Sequence, residues 1–327
     1  MSKIISPINK VSFIGSGSWA LALAFVASHN AKDVTIHTRN NNITEEINRY
    51  KTNKAYVNDI HLPLNVCAET GYNNIKKADL IVVATPVSAI EEIADILLMS
   101  QLERSIVLVC SKGICSNSLL FPTELLGKKL PNIKLAVLSG PNFAKEVLES
   151  KLTKTVIASY ELDIANAILQ IFQTNDFYPV ISKDVIGVQI CGALKNTIAI
   201  AVGFVYGLSL GENLRAALIT EGLKEISDLV LKLNGKKDTI YGIAGMGDLI
   251  LTCGSLTSRN VSFGCKFAKG EVIPNDITVE GVNTVFALNK LSKKLNIQLK
   301  ISESVYKVLY EKKGMDYFIN SLKKPII

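Results

Sequence analysis

Two apolar rhythms divide the chain. Through the first half, short β-branched runs recur with longer stretches between them. Val11-Ser12-Phe13-Ile14, Val34-Thr35-Ile36-His37, Leu80-Ile81-Val82-Val83-Ala84, Ile106-Val107-Leu108-Val109-Cys110 and Leu135-Ala136-Val137-Leu138 predict buried strands. The intervening segments 19–28, 89–98 and 118–130 are long enough for helices and end in polar or Pro/Gly punctuation. Strands alternating with helices predict a doubly wound, mostly parallel α/β sheet covered on both faces, which 155–158 and 177–181 would extend. After Asp184 no strand pattern remains. Apolar positions about 3.6 residues apart in 216–232, 282–295 and 302–309 predict an all-helical C-terminal domain. The expected division is therefore 1–183 and 184–327.

Composition supports that picture and removes others. With 327 residues, 48% hydrophobic and 20% charged, the chain has apolar material for two cores, which excludes disorder and low-complexity architectures. The formal charge of +7 is scattered in pairs such as Lys76-Lys77, Lys128-Lys129, Lys236-Lys237 and Lys312-Lys313, so nucleic-acid binding is not expected. Six cysteines form no Cys-x-x-Cys pair, and the three histidines do not stand beside them at ligand spacing. Neither a disulfide framework nor a metal site is expected. The opening Met1-Ser2-Lys3-Ile4-Ile5-Ser6-Pro7 lacks the apolar run of a signal peptide, which suggests a reducing cytoplasm. The stretch 186–210 is apolar enough to suggest a membrane span, but Lys195 sits near its middle beside Asn196. A charge there in lipid costs roughly 2.5–3.5 kcal/mol or more, so a helix buried in protein, with one polar face on a cleft, is expected and no transmembrane segment.

The candidate chemistry follows the strands. Gly15-Ser16-Gly17-Ser18-Trp19-Ala20 comes directly after the first strand and opens the first helix. Its glycines would let the backbone turn tightly and approach a pyrophosphate set on the helix N-terminus, a Rossmann-like dinucleotide loop. The second strand ends in His37-Thr38-Arg39-Asn40. It carries no acid for ribose hydroxyls, and Arg39 is placed to meet a 2′-phosphate. Ser111-Lys112-Gly113 and Ser139-Gly140-Pro141-Asn142-Phe143-Ala144 also follow strands, at the edge where ligands bind in open α/β sheets. In the second half, Gly245-Met246-Gly247-Asp248 sets a carboxylate after an apolar loop, and Ser258-Arg259-Asn260 offers a guanidinium with two neutral hydrogen-bonding groups. Each has an ordinary alternative: a loop lysine, a proline turn, a helix-capping aspartate, a surface arginine. Their joint occurrence favours a site. Cys253 has no histidine or lysine near it in sequence to activate a thiol, and is expected to be a buried structural residue.

These motifs, with Gly192-Ala193-Leu194-Lys195-Asn196, Leu251-Thr252-Cys253 and Val279-Glu280-Gly281, resemble in order and spacing the bacterial-type NAD(P)-dependent glycerol-3-phosphate dehydrogenase family, from Val11 to about Leu309. The resemblance implies reversible NAD(P)H-dependent reduction of dihydroxyacetone phosphate to sn-glycerol 3-phosphate, which feeds phospholipid synthesis. It implies cofactor contacts at Gly15, Gly17, Ser18, Trp19, Arg39, Lys112, Ala144, Arg259 and Glu280. It implies substrate contacts at Lys112, Gly140, Asn142, Lys195, Asp248, Ser258, Arg259 and Asn260, with Lys195 as acid/base, and a homodimer. Two positions depart from the family pattern: Ala20 replaces a glycine that packs helix against strand, and Asn142 stands where Ser or Thr is common. Two other readings remain beside it: a related two-domain hydroxyacid dehydrogenase, whose substrates carry carboxylate rather than phosphate, and a non-catalytic NAD(H)-sensing protein.

Overall fold

A computed structural model describes residues 6–57, 60–102, 104–273 and 278–323. Residues 1–5, part of the stretch read above for a targeting signal, lie outside the described residues. In chain order the first part carries β1 (Lys10–Ile14), α1 (Ser18–Ala27), β2 (Asp33–Thr38), α2 (Asn41–Tyr50), β3 (Val66–Thr70), β4 (Leu80–Val83), α3 (Ile90–Met99), β5 (Ile106–Val109), α4 (Pro122–Lys129), β6 (Lys134–Ser139), α5 (Ala144–Leu148), β7 (Thr153–Ala158), α6 (Leu162–Phe172) and β8 (Phe177–Ser182). The second carries α7 (Val185–Gly207), α8 (Glu212–Lys232), α9 (Lys237–Tyr241), a π-helical turn (Ile243–Gly247), α10 (Asp248–Cys253), α11 (Arg259–Ala268), α12 (Glu280–Leu295), α13 (Lys300–Leu309) and α14 (Met315–Leu322).

The eight strands form one sheet in the order β3-β2-β1-β4-β5-β6-β7-β8. Every pairing is parallel except β6 with β7, where the short α5 connection returns the chain in the opposite direction. The order reverses between β1 and β4, so the carboxyl ends of these two strands flank the crevice in which open α/β sheets bind ligands. Central strands are apolar on both faces because both are covered: all four residues of β4, Leu80 to Val83, are buried. The edge strand β8 alternates buried and exposed and carries Pro179, whose missing N–H an edge tolerates. At the other edge, β3 reads Val-Cys-Ala-Glu-Thr, too polar to stand out as a β-branched run, and pairing with β2 makes it a strand. In α2 only Ile43 and Ile47 are buried, so the apolar rhythm there is faint. Asn40 starts the helix by accepting the Asn42 N–H at 2.9 Å.

The chain divides into two compact units, Met1–Ser111 with Pro122–Val185, and Lys112–Phe121 with Ile186–Ile327. The division differs from a single boundary at residue 183, because the short segment that begins at Lys112 packs with the helical unit. Ile114 and Phe121 anchor that segment in the helical core, among α7 residues such as Leu194 and Phe204. Phe204 meets Phe318 edge-to-face at 5.2 Å, a geometry worth about 0.5–1.5 kcal/mol beyond its area. Among the described residues, α7 is the one helix long and apolar enough to cross a membrane, yet 94% of its apolar window is buried inside the protein.

One charge in this helical core serves the backbone. Glu225, on α8, is 1% exposed and caps α13: its carboxylate accepts the N–H of Ile301, the N–H of Ser302 at 3.2 Å and the Ser302 hydroxyl at 2.9 Å. α13 has no side-chain cap of its own. Burial pushes the Glu225 carboxyl up to about 7, against the pull of those donors. Its folded value exceeds its unfolded value, so the native state holds the proton more tightly and stability declines as pH rises between about 4.5 and about 7. Denaturant melts across that window should show a decline of up to about 3 kcal/mol in the wild type that Glu225→Gln lacks. Parallel pH profiles for the two proteins would contradict the assignment.

Candidate active site

In the first unit, the turn after β1 is built for close backbone approach. Gly15 has φ +113°, and a Cβ there would lie 2.9 Å from the Ala84 carbonyl at the end of β4, so only glycine fits. Its N–H donates to the His37 carbonyl at 3.1 Å, tying the turn to β2. Gly17, at the N-cap of α1, has nothing within 4 Å of a would-be Cβ. The first turn of α1 carries neither a side-chain cap nor an acid, so the helix itself supplies no counter-charge to its N–H groups and the positive end of its dipole. Beside this turn, the Trp19 Nε1 and the Thr85 Oγ1 are buried without a hydrogen-bond partner. Open space over Gly17, an uncapped helix end and unpaired polar atoms fit the pyrophosphate of a dinucleotide.

The neighbouring side chains brace the turn. Asn53 donates its amide to the Ser16 carbonyl at 3.1 Å, the Ser16 and Thr38 hydroxyls are 3.1 Å apart, and Ser18 donates to the Tyr56 carbonyl at 3.3 Å. His37 is buried: its Nδ1 donates to the Gly71 carbonyl at 2.9 Å and its Nε2 is 3.2 Å from the Ser12 hydroxyl. Desolvation lowers its pKa, so it packs as a neutral ring. Arg39 is exposed, one residue past β2, and near enough to Tyr72 for its charge to oppose the upward push of burial on the phenol. Ala144 opens α5 and packs on the core of this unit.

Gly140 and Asn142 follow β6. Gly140 has φ +153°, and a Cβ there would lie 2.9 Å from the Thr155 hydroxyl. That hydroxyl donates to the Ser139 carbonyl at 3.1 Å and accepts the Asn142 side-chain amide at 2.9 Å, so β7 holds this amide in place.

The charged cluster lies in the helical unit. Lys195, midway along α7 and 7% exposed, donates to Asp248 Oδ1 at 2.5 Å and to Thr252 Oγ1 at 2.8 Å. Lys112 donates to the other oxygen, Asp248 Oδ2, at 2.8 Å. Asp248 is 1% exposed, and its two oxygens face two ammonium groups. Burial brings the Lys195 pKa down to about 8, with the Lys112 charge adding to the fall and Asp248 opposing it. An amine with that value shuttles a proton near neutral pH.

The segment read from sequence as an apolar loop before Asp248 is the π-helical turn, with Gly242 O accepting from both Gly245 and Gly247 N–H at 3.2 Å. A Cβ on Gly245 would run into the Ile240 carbonyl, so glycine lets this turn form and start α10 at Asp248. Thr252 stands one helical turn after Asp248, on the same face. In the sequence it stands within the Leu251-Thr252-Cys253 motif with no role assigned to it; the spacing of four from Asp248 within a helix is the signal that points to one. Cys253 is fully buried and its thiol is pushed up to about 12, which keeps it inert.

Ser258, buried, occupies the N-cap of α11, and Arg259 is exposed on the first turn. Asn260 is turned inward instead: its Nδ2 donates to Asn196 Oδ1 at 3.0 Å and its Oδ1 accepts the Gly281 N–H at 3.0 Å. One amide hydrogen of Asn260 and its carbonyl are thus engaged within the protein. Glu280, half-buried, opens α12. Among the described residues no group of three or more His, Cys, Asp or Glu side chains could hold a metal ion.

A dinucleotide turn on a doubly wound sheet, in one chain with a helical unit that buries a lysine of lowered pKa, defines a two-domain nicotinamide-dependent oxidoreductase. Sequence models described as the N-terminus and the C-terminus of NAD-dependent glycerol-3-phosphate dehydrogenase match residues 10–165 and 184–320. Glycerol-3-phosphate dehydrogenase [NAD(P)+] of Lysinibacillus sphaericus (strain C3-41) is 38% identical over 97% of this chain and 98% of its own length. The protein of the same name from Bacillus licheniformis is 38% identical over 96% and 94%. The crystal structure of glycerol-3-phosphate dehydrogenase from Coxiella burnetii superposes with a TM-score of 0.92 at 28% identity, covering 97% of this chain and 99% of that one. The chain belongs to the NAD-dependent glycerol-3-phosphate dehydrogenase family.

The geometry at Gly17 separates binding from folding. Its backbone, at φ −73°, accepts alanine, so Gly17→Ala should change stability by less than about 1 kcal/mol. The new methyl would fill the open space expected to hold the pyrophosphate, and NADPH binding should weaken by roughly 1–3 kcal/mol. Fluorescence titration with the cofactor beside a thermal melt reads both, and unchanged affinity would move the pyrophosphate elsewhere.

Proposed function

We propose that this protein carries out the reversible reduction of dihydroxyacetone phosphate by NAD(P)H to sn-glycerol 3-phosphate, with Lys195 as the acid/base. The observation that carries the reading is the Asp248 carboxylate between two ammonium groups, one of them on a buried apolar helix with its pKa near 8. The bound nicotinamide supplies or takes up the hydride. As the ketone is reduced, negative charge builds on its oxygen. The Lys195 ammonium meets that charge and delivers its proton to the oxygen, so that NAD(P)H, one proton and the ketone become NAD(P)⁺ and the secondary alcohol. Asp248 and Thr252 hold Nζ in place, and Lys112 adds positive charge beside the forming alkoxide. In reverse, the neutral amine accepts the hydroxyl proton.

The phosphate of the substrate needs donors away from the hydride path. Arg259 offers a planar fork, and the α11 N-terminus, which has no side-chain cap and no acid in its first turn, offers backbone N–H groups. Ser258, Gly140 and Asn142 complete the substrate set, while Asn260 acts mainly by positioning Arg259, since its carbonyl and one amide hydrogen are engaged. The cofactor set is Gly15, Gly17, Ser18, Trp19, Arg39, Lys112, Ala144, Arg259 and Glu280, with Arg39 as the candidate partner of a 2′-phosphate. The product is a precursor of phospholipids. On the resemblance of sequence the protein acts as a homodimer in the cytoplasm, and sedimentation at working concentration reads the first of these.

A steady-state assay tests the reading: NADH or NADPH should be consumed with dihydroxyacetone phosphate and not with pyruvate or oxaloacetate, and equal rates with the ketoacids would end it. Lys195→Met should lower kcat by about 10²–10⁴-fold while cofactor binding survives. In the wild type, reduction needs the ammonium and should slow as pH rises through about 8, whereas oxidation needs the free amine and should quicken over the same range. A loss confined to KM, or profiles without opposite slopes, would assign the proton to another group.

Arg259→Ala tests the phosphate separately. A charged hydrogen bond to an exposed guanidinium is worth about 1.5–3 kcal/mol, so KM for dihydroxyacetone phosphate should rise roughly 10- to 100-fold. An unchanged KM would move the phosphate away from α11.

A further inference from the structure

Two helices of the second unit carry the groups that must grip opposite ends of the substrate: α7 bears Lys195 and α11 begins with Arg259. They touch backbone to backbone. A Cβ on Gly203 would run into the Val261 carbonyl and lie 2.8 Å from the Gly264 Cα; a Cβ on Gly264 would run into the Ile200 carbonyl. One turn further on, a Cβ on Gly207 would lie 2.5 Å from the Cys265 carbonyl. At Gly203 and Gly264 backbone meets backbone directly, so the spacing of the two helices there has little soft material to absorb an error.

The seam is also pinned at its site end. Asn196, next to Lys195, accepts the amide of Asn260, next to Arg259, at 3.0 Å. The Asn260 carbonyl takes the Gly281 N–H, and a Cβ on Gly281 would lie 2.6 Å from the Asn196 carbonyl, so α12 closes on the same point. The residues that follow the proton donor and the phosphate fork are thus bonded to each other. The bond ties the two helices in one direction and at one distance, which contact between apolar side chains of similar volume would not do.

We propose that the α7–α11 seam is the ruler that sets the span between the Lys195 ammonium and the Arg259 guanidinium, with Gly203, Gly264 and Asn196 as positioning residues. It makes the enzyme selective for a ketone at one fixed distance from a phosphate ester. The proposal rests on the roles assigned above to Lys195 and Arg259. Binding energy from the phosphate raises the rate only while the span matches, since a displacement of about 1 Å at a reacting group costs on the order of 10²-fold. A substrate that lacks the phosphate is held by the Lys195 end alone and is indifferent to the span.

The experiment compares kcat/KM for dihydroxyacetone phosphate with that for dihydroxyacetone in the wild type, Gly264→Ala, Asn196→Leu and Asn196→Asp. The preference for the phosphorylated substrate should fall roughly 10- to 100-fold in Gly264→Ala and in Asn196→Leu. Asn196→Asp should restore it, because a carboxylate accepts the same bond from Asn260. Should Gly264→Ala not fold, the two Asn196 variants read the same ratio. Equal proportional losses on both substrates would make the seam merely structural and overturn the proposal. A wild type with no preference for the phosphorylated substrate overturns the proposed function itself, whereas a preference that every folded variant keeps overturns the ruler alone.

Discussion

Asp248 holds two ammonium groups, and much of the helical unit is arranged to permit it. A lysine in the middle of an apolar helix would be costly if unpaired, and a carboxylate at 1% exposure would be costlier still. Together with Lys112 they form a compact charged triad whose attraction offsets the desolvation of its members. The residual imbalance is what the proposed acid/base chemistry would use. Desolvation wins over Asp248 at Lys195, leaving its pKa near 8. A fully exposed lysine would remain charged and lose its use as a base; one buried without Asp248 would lose its proton too readily to act as an acid.

The triad in turn depends on backbone that only glycine permits. The π-helical turn, crowded at Gly245, starts α10 at Asp248 and thereby sets Thr252 on the same face. The seam at Gly203 and Gly264 lets α11 lie directly against the helix that carries Lys195. In the first unit the same property serves a different end: Gly15 brings the turn against β4. Glycine at these points loses more conformational entropy on folding than other residues do, a cost that the close approach of backbone outweighs.

Three buried polar groups outside the triad hold element ends in place. Glu225 supplies the cap that α13 lacks, Asn260 joins α7 to α12, and Thr155 links β7 to the loop after β6. Each replaces water lost from a backbone or amide group, so removing one partner leaves another unsatisfied, a penalty of about 1–3 kcal/mol.

The alternation of β-branched runs with helical stretches was enough to determine a doubly wound sheet followed by helices, because covering both faces of a parallel sheet demands that pattern. The glycine turn after β1 and the polar clusters after strands were legible for the same reason: backbone that must bend or approach a ligand restricts residue choice locally. Even Lys195 announced itself, as a lone charge in an apolar run. Tertiary structure decided the rest. Lys112 joins the helical unit although it follows a strand, because Ile114 and Phe121 find their apolar partners there. Thr252 joins Lys195 only because a π-turn sets the phase of α10, and Asn260 turns inward only because Asn196 and Gly281 converge on it from helices 64 and 21 residues away. Such partners are selected by distance in space, and a chain read in order carries no record of which distant residues packing will bring within hydrogen-bonding reach.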